Sequence, residues 1–437
     1  MINQLVKHII FFTNTMYIAL SELFLYFIFQ DYCHFIERFT TRLASINILY
    51  VKVFQAVALN NNFIDNEINE HLLSFTDNAP WTYDDILFGD IIEVSNQCDM
   101  ILKYGYEKPI NAGMISVVFK AYKKITDKPM IIKLKRNNIE KKLAEAIQQL
   151  ETLIYLLSFI PFIQKYQISE IVRKNINMIQ SQTDFLQEVN NINKMKKNCA
   201  HLKYVKIPYV EEGITERYPN IIVMECIEGM KINAVANEDY EGFARQIMKL
   251  GMVTSLVHGV AHGDLHSGNI LFIKDIEDEK YPYKIGLLDF GIIYEIEETF
   301  REILFDTMVN LFDTPTKETA IKLLNSGIID PPGILQQIKR EHYENIVKIV
   351  EEIIDETIQN ADNTNQAQLF KFLYKLNEYL RNSEISRFGI RPSANMVKSQ
   401  IALTMSHGVA LKLCKNNLVP ILNKVIEELF HTNILQE

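Results

Sequence analysis

Residues 262–271 read HGDLHSGNIL, which places Asp264 and Asn269 five residues apart in a polar loop that leads into Ile270 and Leu271. Transfer of a phosphoryl group needs a carboxylate at the attacking hydroxyl and an oxygen ligand for Mg²⁺ close by. Asp264 suits the first role and Asn269 the second. The loop alone also has a structural interpretation, because Asp and Asn side chains cap backbone N–H groups in turns.

A second motif, LLDFG, follows at residues 287–291. Protein kinases combine an H-R-D-x-x-x-x-N loop with a D-F-G motif whose aspartate binds Mg²⁺. Asp264 and Asn269 keep the kinase spacing, and Asp289 occupies the position of the D-F-G aspartate. Two such motifs in the kinase order favour a catalytic loop over a structural turn, with Asn269 and Asp289 as metal ligands.

Residues upstream of the loop supply the other half of a kinase nucleotide site. Lys133 ends the β-prone run at 130–133 and matches the V-A-I-K pattern, in which a strand lysine reaches the α- and β-phosphates. Glu188, on a helix predicted over 184–197, is its expected ion-pair partner. A small-residue loop and a hinge after a strand are expected to bind the nucleotide, through Gly113, Ile115, Ser116, Val118, Met224, Glu225, Cys226 and Ile227.

Periodicity around these motifs predicts the fold class. Alternating and β-branched runs indicate strands, and apolar residues three and four apart indicate helices. The predicted strands lie within 91–134 and at 221–224, 270–272 and 285–288, and the predicted helices cover 1–80, 139–200, 239–258 and most of the chain after 295. This order predicts an α+β, bilobal, protein-kinase-like fold with a helical extension at each end.

The predicted domain boundaries follow from that order. The N-terminal helical extension covers 1–85, the small lobe with a helical insert covers 86–228, and the helical lobe with the C-terminal helices covers 229–437. Beyond the D-F-G motif the chain passes almost directly into helical spacing, and no A-P-E sequence follows. Protein kinases bind peptide substrates on the activation segment between the D-F-G and A-P-E sequences. Because no long activation segment is present here, we expect a generic protein such as casein not to be phosphorylated.

Composition and charge narrow the possible classes of protein further. Hydrophobic residues make up 48% and charged residues 23%, which favours a folded globular protein over a disordered one. The net charge of −9 lacks the basic footprint of a nucleic-acid binder. The scattered cysteines predict neither a disulfide framework nor a zinc site and suit a reducing, intracellular compartment. They are Cys33, Cys98, Cys199, Cys226 and Cys414. For His262 we expect a structural, hydrogen-bonding role, and none as a zinc ligand with His266.

The N-terminal stretch at residues 9–29 is apolar and long enough to span a bilayer. Polar residues interrupt it, and a carboxylate such as Glu22 in the middle of a lipid-facing helix costs several kcal/mol. Neither the cleavage site of a signal peptide nor the arginine content of a transit peptide is present. We favour a helix buried against the protein or a partner, ahead of a membrane-surface helix and a true span.

The chain resembles the UbiB-type (aarF-domain) atypical kinases over roughly residues 43–422. The matching segments are the family's Ala-rich loop at 109–121, its strand lysine at 133–139, its E-A-x-N helix at 188–191, its hinge at 223–229 and its catalytic loop at 262–271. Lys52 and Gln55 resemble the ends of the K-x-G-Q signature, with Phe54 in place of Gly. Gly113 and Met114 depart from the Ala-rich loop.

That resemblance implies ATP and Mg²⁺ as cofactors and a role in isoprenoid-quinone or other lipid metabolism near a membrane. It implies a small-molecule or lipid-like acceptor and a regulatory region at Lys52 and Gln55, where helices cover the active site. The Ala-rich loop of the family restrains ordinary kinase activity, and Gly113 is expected to loosen that restraint because glycine permits closer backbone approach.

Two other functions stay open. Small-molecule kinases of the aminoglycoside or choline type share the H-G-D-x-H-x-x-N loop, although the intact D-F-G motif and the Lys52–Gln55 region favour the UbiB type. A non-catalytic, nucleotide-binding scaffold is the second. The altered residues Phe54 and Met114 keep it open, even though all five polar residues needed for the chemistry are present.

Overall fold

The computed structural model describes residues 2–47, 49–50, 79, 81–102, 108–157, 176, 179–309, 314–359, 368–381, 385, 387–414 and 418–431. The chain forms two compact units, Met1–Val189 with Val210–Cys226 and Asn190–Tyr209 with Ile227–Glu437. Both units combine helices with small sheets, so the predicted α+β class is confirmed.

Helices make up most of the regular structure, and the strands are short. In chain order the helices are α1 (Ile2–Phe29), α2 (Tyr32–Ile46), α3 (Phe88–Gln97), α4 (Ile139–Leu157), α5 (Phe185–Asn198), α6 (Ile214–Arg217), α7 (Tyr240–Met252), α8 (Glu298–Val309), α9 (Thr316–Leu324), α10 (Arg340–Gln359), α11 (Gln368–Arg381), α12 (Ala394–Leu413) and α13 (Leu418–His431). The strands are β1 (Met100–Ile101), β2 (Asn111–Ala112), β3 (Ser116–Lys123), β4 (Pro129–Lys135), β5 (Val205–Lys206), β6 (Ile221–Glu225), β7 (Val260–His262), β8 (Ile270–Lys274), β9 (Tyr283–Leu287), β10 (Ile293–Glu295), β11 (Ile329–Asp330) and β12 (Arg391–Pro392).

The sheet of the first unit is antiparallel, in the order β1-β3-β4-β6 with β2 paired to β3. Alternate residues of β4, Met130, Ile132 and Leu134, are fully buried on one face, as the period-2 pattern of a strand requires. Lys133 therefore points to the other face, with Val118 and Ile222 opposite it on the two neighbouring strands. Lys133 thus lies on a central strand of the sheet, because β4 pairs with β3 on one side and with β6 on the other.

The predicted start of the strand region at residue 91 is wrong, because residues 91–97 belong to helix α3. The β-branched residues Ile91, Ile92 and Val94 favour a strand locally. However, the side chains that α3 buries are Ile91, Val94 and Ser95. Their spacing of three and four is helical, so tertiary burial decided the element.

Helices α1 and α2 form a hairpin in the first unit. The buried face of α1 carries Phe11, Thr15, Ile18 and Glu22, at helical spacing. Glu22 is 2% exposed and accepts hydrogen bonds from Arg38 (3.0 Å) and Arg42 (2.6 Å) of α2. The carboxylate that interrupts the apolar sequence is therefore turned inward and neutralised.

The other side of α1 is apolar and exposed. We call it the apolar face of α1, and it consists of Met16, Tyr17, Leu20, Leu23, Phe24, Phe27, Ile28 and Phe29. Among the described residues, α1 is the helix with the length and composition to cross a membrane, over Val6–Phe29 with a mean hydropathy of 1.4. Only 17% of that segment is buried. In the described residues the protein itself thus buries only one side of α1, and the predicted burial against the protein or a partner stays a prediction for the exposed side.

The second unit is mainly helical. Its largest sheet has the order β5-β9-β8, and a two-stranded sheet pairs β10 with β7. Helix α7 crosses α12 and continues through a π-helical turn, Val253–Val257, towards β7. After the D-F-G motif only β10 precedes α8. The passage from the D-F-G motif into helix is therefore as short as the sequence predicted.

We expect Gly251→Ala to destabilise the second unit. A Cβ at this position of α7 would overlap Ser406 Oγ on α12 and lie 2.5 Å from Ser406 Cβ. Overpacking of this kind typically costs about 1–3 kcal/mol, more than the roughly 1 kcal/mol that alanine gains over glycine in a helix. Denaturant unfolding measures the change. Gly408→Ala on α12 is the control, because its Cβ would meet nothing within 4 Å; equal stability of the two variants would contradict the expectation.

Candidate active site

The predicted site residues fall in both units of the chain. In the first unit the structure brings Lys133 and Glu188 together. Lys133 Nζ lies 2.6 and 2.9 Å from the two carboxylate oxygens of Glu188, and the side chains are only 8% and 2% exposed. The Phe185 ring lies 5.6 Å from the same ammonium group. The predicted partner of the strand lysine is therefore found where expected.

Local sequence explains why Glu188 reaches Lys133. The side chain of Asp184 accepts a hydrogen bond from the backbone N–H of Gln187, which caps the start of α5. Glu188 then lies in the first turn of α5, where the helix dipole favours a carboxylate. The cap thus fixes the turn from which Glu188 extends to β4.

The small-residue loop between β2 and β3 is a tight turn. Gly113 N–H donates to the carbonyl of Ser116 at 2.8 Å, so this N–H group is hydrogen-bonded within the turn. Ile115, Ser116 and Met224 are buried. The remaining residues expected at the nucleotide, Val118, Glu225, Cys226 and Ile227, lie on β3, at the end of β6 and directly after it.

The side chain of Arg136 stabilises this turn, a role that our interpretation of the sequence missed. Its side chain donates to the carbonyl of Gly113 at 3.0 Å and pairs with the buried Asp85 at 3.0 Å. Burial alone would raise the pKa of Asp85, but hydrogen bonds from Lys142 and Thr82 and the charge of Arg136 outweigh it and lower that pKa. The signal was present, since Arg136 directly follows the strand that carries the lysine.

In the second unit His262 joins the two motifs. Its Nε2–H donates to the carbonyl of Asp289 at 2.6 Å, and its Nδ1 accepts from the backbone N–H of Asp264 at 3.1 Å. Burial lowers the pKa of His262 despite the nearby charges of Asp264 and Asp289. The predicted structural role of this histidine is confirmed.

Asn269 and Asp289 present oxygen atoms suited to a hard cation. The side-chain amide nitrogen of Asn269 donates to the carbonyl of Asp264 at 3.0 Å, so the amide oxygen is the atom of this side chain that can coordinate a cation. One carboxylate oxygen of Asp289 accepts from Gly291 N–H at 3.0 Å. Within the described residues no group of three His, Cys, Asp or Glu side chains is placed to hold a metal. The pair fits Mg²⁺, which usually combines one or two carboxylates with substrate phosphates.

Asn191 is a second residue that sequence interpretation gave no role. It lies on α5, one turn after Glu188, and its side chain donates to the carbonyl of Phe290 at 2.8 Å. Phe290 itself is 1% exposed. Asn191, in the part of α5 that belongs to the second unit, therefore fixes the backbone of the D-F-G motif within that unit.

Comparison with known proteins places the chain in a family. The sequence model of the family described as "ABC1 atypical kinase-like domain" matches residues 90–322, which is more than half of the chain. The chain belongs to this family. Together with the curated relatives, this match identifies the family as the UbiB-type atypical kinases. The predicted resemblance is confirmed.

The curated relatives include "Probable protein kinase UbiB" from Shewanella sp. (strain W3-18-1), Shewanella putrefaciens and Shewanella baltica. Each is 24% identical over 322 residues, which are 72% of this chain and 57% of the relative. The chain therefore spans less than two thirds of the length of these relatives.

Two solved structures are similar at low scores. Rv3197 from Mycobacterium tuberculosis in complex with erythromycin has a TM-score of 0.46 at 17% identity and covers 86% of this chain and 91% of its own. Rad53 1-466 in complex with AMP-PNP has a TM-score of 0.26 at 16% identity, over 60% of this chain and 54% of its own. Both likenesses are weak. The predicted regulatory residues Lys52 and Gln55 lie outside the described residues.

Proposed function

We propose that this chain binds Mg-ATP and transfers its γ-phosphoryl group, as an atypical kinase or ATPase of the UbiB type. The observation that supports it most is the buried Lys133–Glu188 pair. Kinases use a strand lysine held by a helix glutamate to bind the α- and β-phosphates. A lysine and a glutamate with only a structural role would cost desolvation energy here without a clear gain in stability.

The residues proposed to carry out the phosphoryl transfer lie in the second unit. Asp264 accepts the proton of a water or alcohol hydroxyl while the hydroxyl oxygen attacks the γ-phosphorus. The bond from that phosphorus to the bridging oxygen breaks, ADP leaves, and the proton passes from Asp264 to solvent. Asn269 and Asp289 would hold Mg²⁺, which when bound neutralises charge on the β- and γ-phosphates. His262 keeps these residues in register through its two hydrogen bonds.

The proposed acceptor is a small or lipid-like molecule rather than a protein. Only β10 and three further residues separate the D-F-G motif from α8, which leaves no long segment on which a peptide would dock. Membership of the UbiB-type family favours a role in isoprenoid-quinone or lipid metabolism over the aminoglycoside and choline kinases, and it favours catalysis over a scaffold.

We expect Mg-ATP to raise the thermal unfolding temperature of the wild type. A ligand at 100 times its Kd stabilises the folded state by about 2.7 kcal/mol. Asp289→Asn should abolish the Mg²⁺-dependent part of the shift, because it removes a charged oxygen ligand. Asp84→Asn is the control, since Asp84 is exposed. Absence of a shift in the wild type at millimolar Mg-ATP would refute the proposed function.

The proposal includes peripheral attachment to a membrane through the apolar face of α1. Attachment in the plane of the membrane fits better than crossing, because Glu22 ties α1 to Arg38 and Arg42 of α2, whose side chains are 42% and 37% exposed. A crossing α1 would take both arginines into the hydrocarbon, which costs several kcal/mol each.

Sedimentation with phospholipid vesicles tests this attachment. We expect the wild type to bind and the double variant Phe24→Ser/Phe27→Ser to bind at least about tenfold more weakly, since each phenylalanine contributes about 1.5–3 kcal/mol when buried. Ile125→Ser/Ile276→Ser is the matched control, as both isoleucines are at least 80% exposed and neither belongs to α1 or α2. Equal binding of the two double variants, or a wild type that stays in the supernatant, would refute attachment through this face.

A further inference from the structure

His266 lies two residues after Asp264, and two contacts define its orientation. Its Nδ1 accepts a hydrogen bond from the backbone N–H of Gly268 at 3.0 Å. A neutral imidazole that accepts at Nδ1 carries its proton on Nε2. That Nε2 lies 3.7 Å from Oδ2 of Asp264, and the two side chains are 21% and 22% exposed. In this tautomer the protonated nitrogen of His266 is the one that lies 3.7 Å from the carboxylate of Asp264.

The turn that holds the ring is itself fixed. Lys231 Nζ donates to the carbonyl of Gly268 at 2.6 Å, and Asn269 N–H donates to the carbonyl of His266 at 3.0 Å. Gly268 thus binds Lys231 through its carbonyl and His266 through its N–H. These hydrogen bonds connect the backbone and the ring of His266 to the same turn.

The hydrogen bond to Gly268 does not by itself require a histidine. Any acceptor at the position of Nδ1, such as the amide oxygen of asparagine, caps that N–H group. The contact with Asp264 uses the opposite side of the ring and needs a donor at the position of Nε2. The two contacts can therefore be separated by substitution.

We propose that His266 is a positioning residue for Asp264, and this inference rests on the proposed function. Its Nε2–H holds Oδ2 of Asp264, so that Oδ1 faces the acceptor hydroxyl. The distance of 3.7 Å is longer than a hydrogen bond, and such contacts often shorten when substrate binds. During transfer Asp264 takes the hydroxyl proton, the oxygen attacks phosphorus and ADP leaves, while His266 keeps its own proton.

His266→Asn and His266→Gln test the inference through Mg-ATP hydrolysis by the full chain. Asparagine keeps an acceptor near Nδ1 and lacks the donor near Nε2, whereas glutamine keeps a donor near Nε2. We expect H266N to lower kcat at least about tenfold, a part of the effect of a catalytic base, with unchanged KM for ATP and unchanged Tm. H266Q should recover most of kcat. His342→Asn on α10 is the control.

The outcomes separate this inference from the proposed function. A wild type that hydrolyses Mg-ATP beside an equally active H266N would overturn the inference alone, as would an H266N protein with a lowered Tm. Loss of kcat in H266Q together with full activity in H266N would assign His266 to the Gly268 cap only. A wild type without turnover would overturn the proposed function and this inference with it.

Discussion

Asp264→Asn should lower kcat for Mg-ATP by roughly 10²–10⁴-fold and leave nucleotide binding intact, the effect expected for removal of the proposed catalytic base. The substitution is well suited to the test, because the close hydrogen bonds of Asp264 use its backbone. Its N–H donates to His262 and its carbonyl accepts from Asn269. The variant should keep the loop in place and lose only the carboxylate.

Single-turnover and steady-state assays measure the rate, and the Mg-ATP thermal shift measures binding. Asp84→Asn again serves as the exposed control. An Asp264→Asn variant that matches the wild-type rate, or that supports full function in cells, would favour the nucleotide-binding scaffold over the enzyme. Loss of the thermal shift as well would show that Asp264 serves binding.

Glu188→Gln should lower the free energy of unfolding by roughly 3–5 kcal/mol, the typical cost of removing one partner of a buried ion pair. The substitution takes the negative charge away from the ammonium of Lys133, which lies 2.6 Å from the carboxylate in a site where both side chains are nearly inaccessible. It should also abolish the Mg-ATP thermal shift, since the lysine loses the group that orients it.

Two further variants make the interpretation specific. Glu145→Gln removes a partner of the exposed Lys7–Glu145 pair, and we expect a loss below about 1 kcal/mol. The double variant Lys133→Met/Glu188→Leu should regain much of the stability, because apolar residues often replace a buried pair without loss, yet it should not bind nucleotide. Denaturant unfolding that shows equal losses for Glu188→Gln and Glu145→Gln would contradict the buried pair.

The sequence alone predicted the elements that depend on local chemistry. The HGDLHSGNIL loop and the LLDFG motif are each short, so spacing within them was enough to propose Asp264, Asn269 and Asp289 as site residues. The β-prone run at 130–133 likewise predicted β4 and the strand position of Lys133. The D-F-G motif was correctly expected to lead almost directly into helix.

Only the tertiary structure decided which distant groups meet. In the folded chain Ile91 and Val94 lie on the buried face of a helix. Glu22 is buried and pairs with Arg38 and Arg42. The apolar face of α1 is exposed. These outcomes depend on which side of an element is buried, and residues far along the chain determine that. Local spacing fixes what a short motif can bind, whereas burial and pairing over long separations fix where each side chain points.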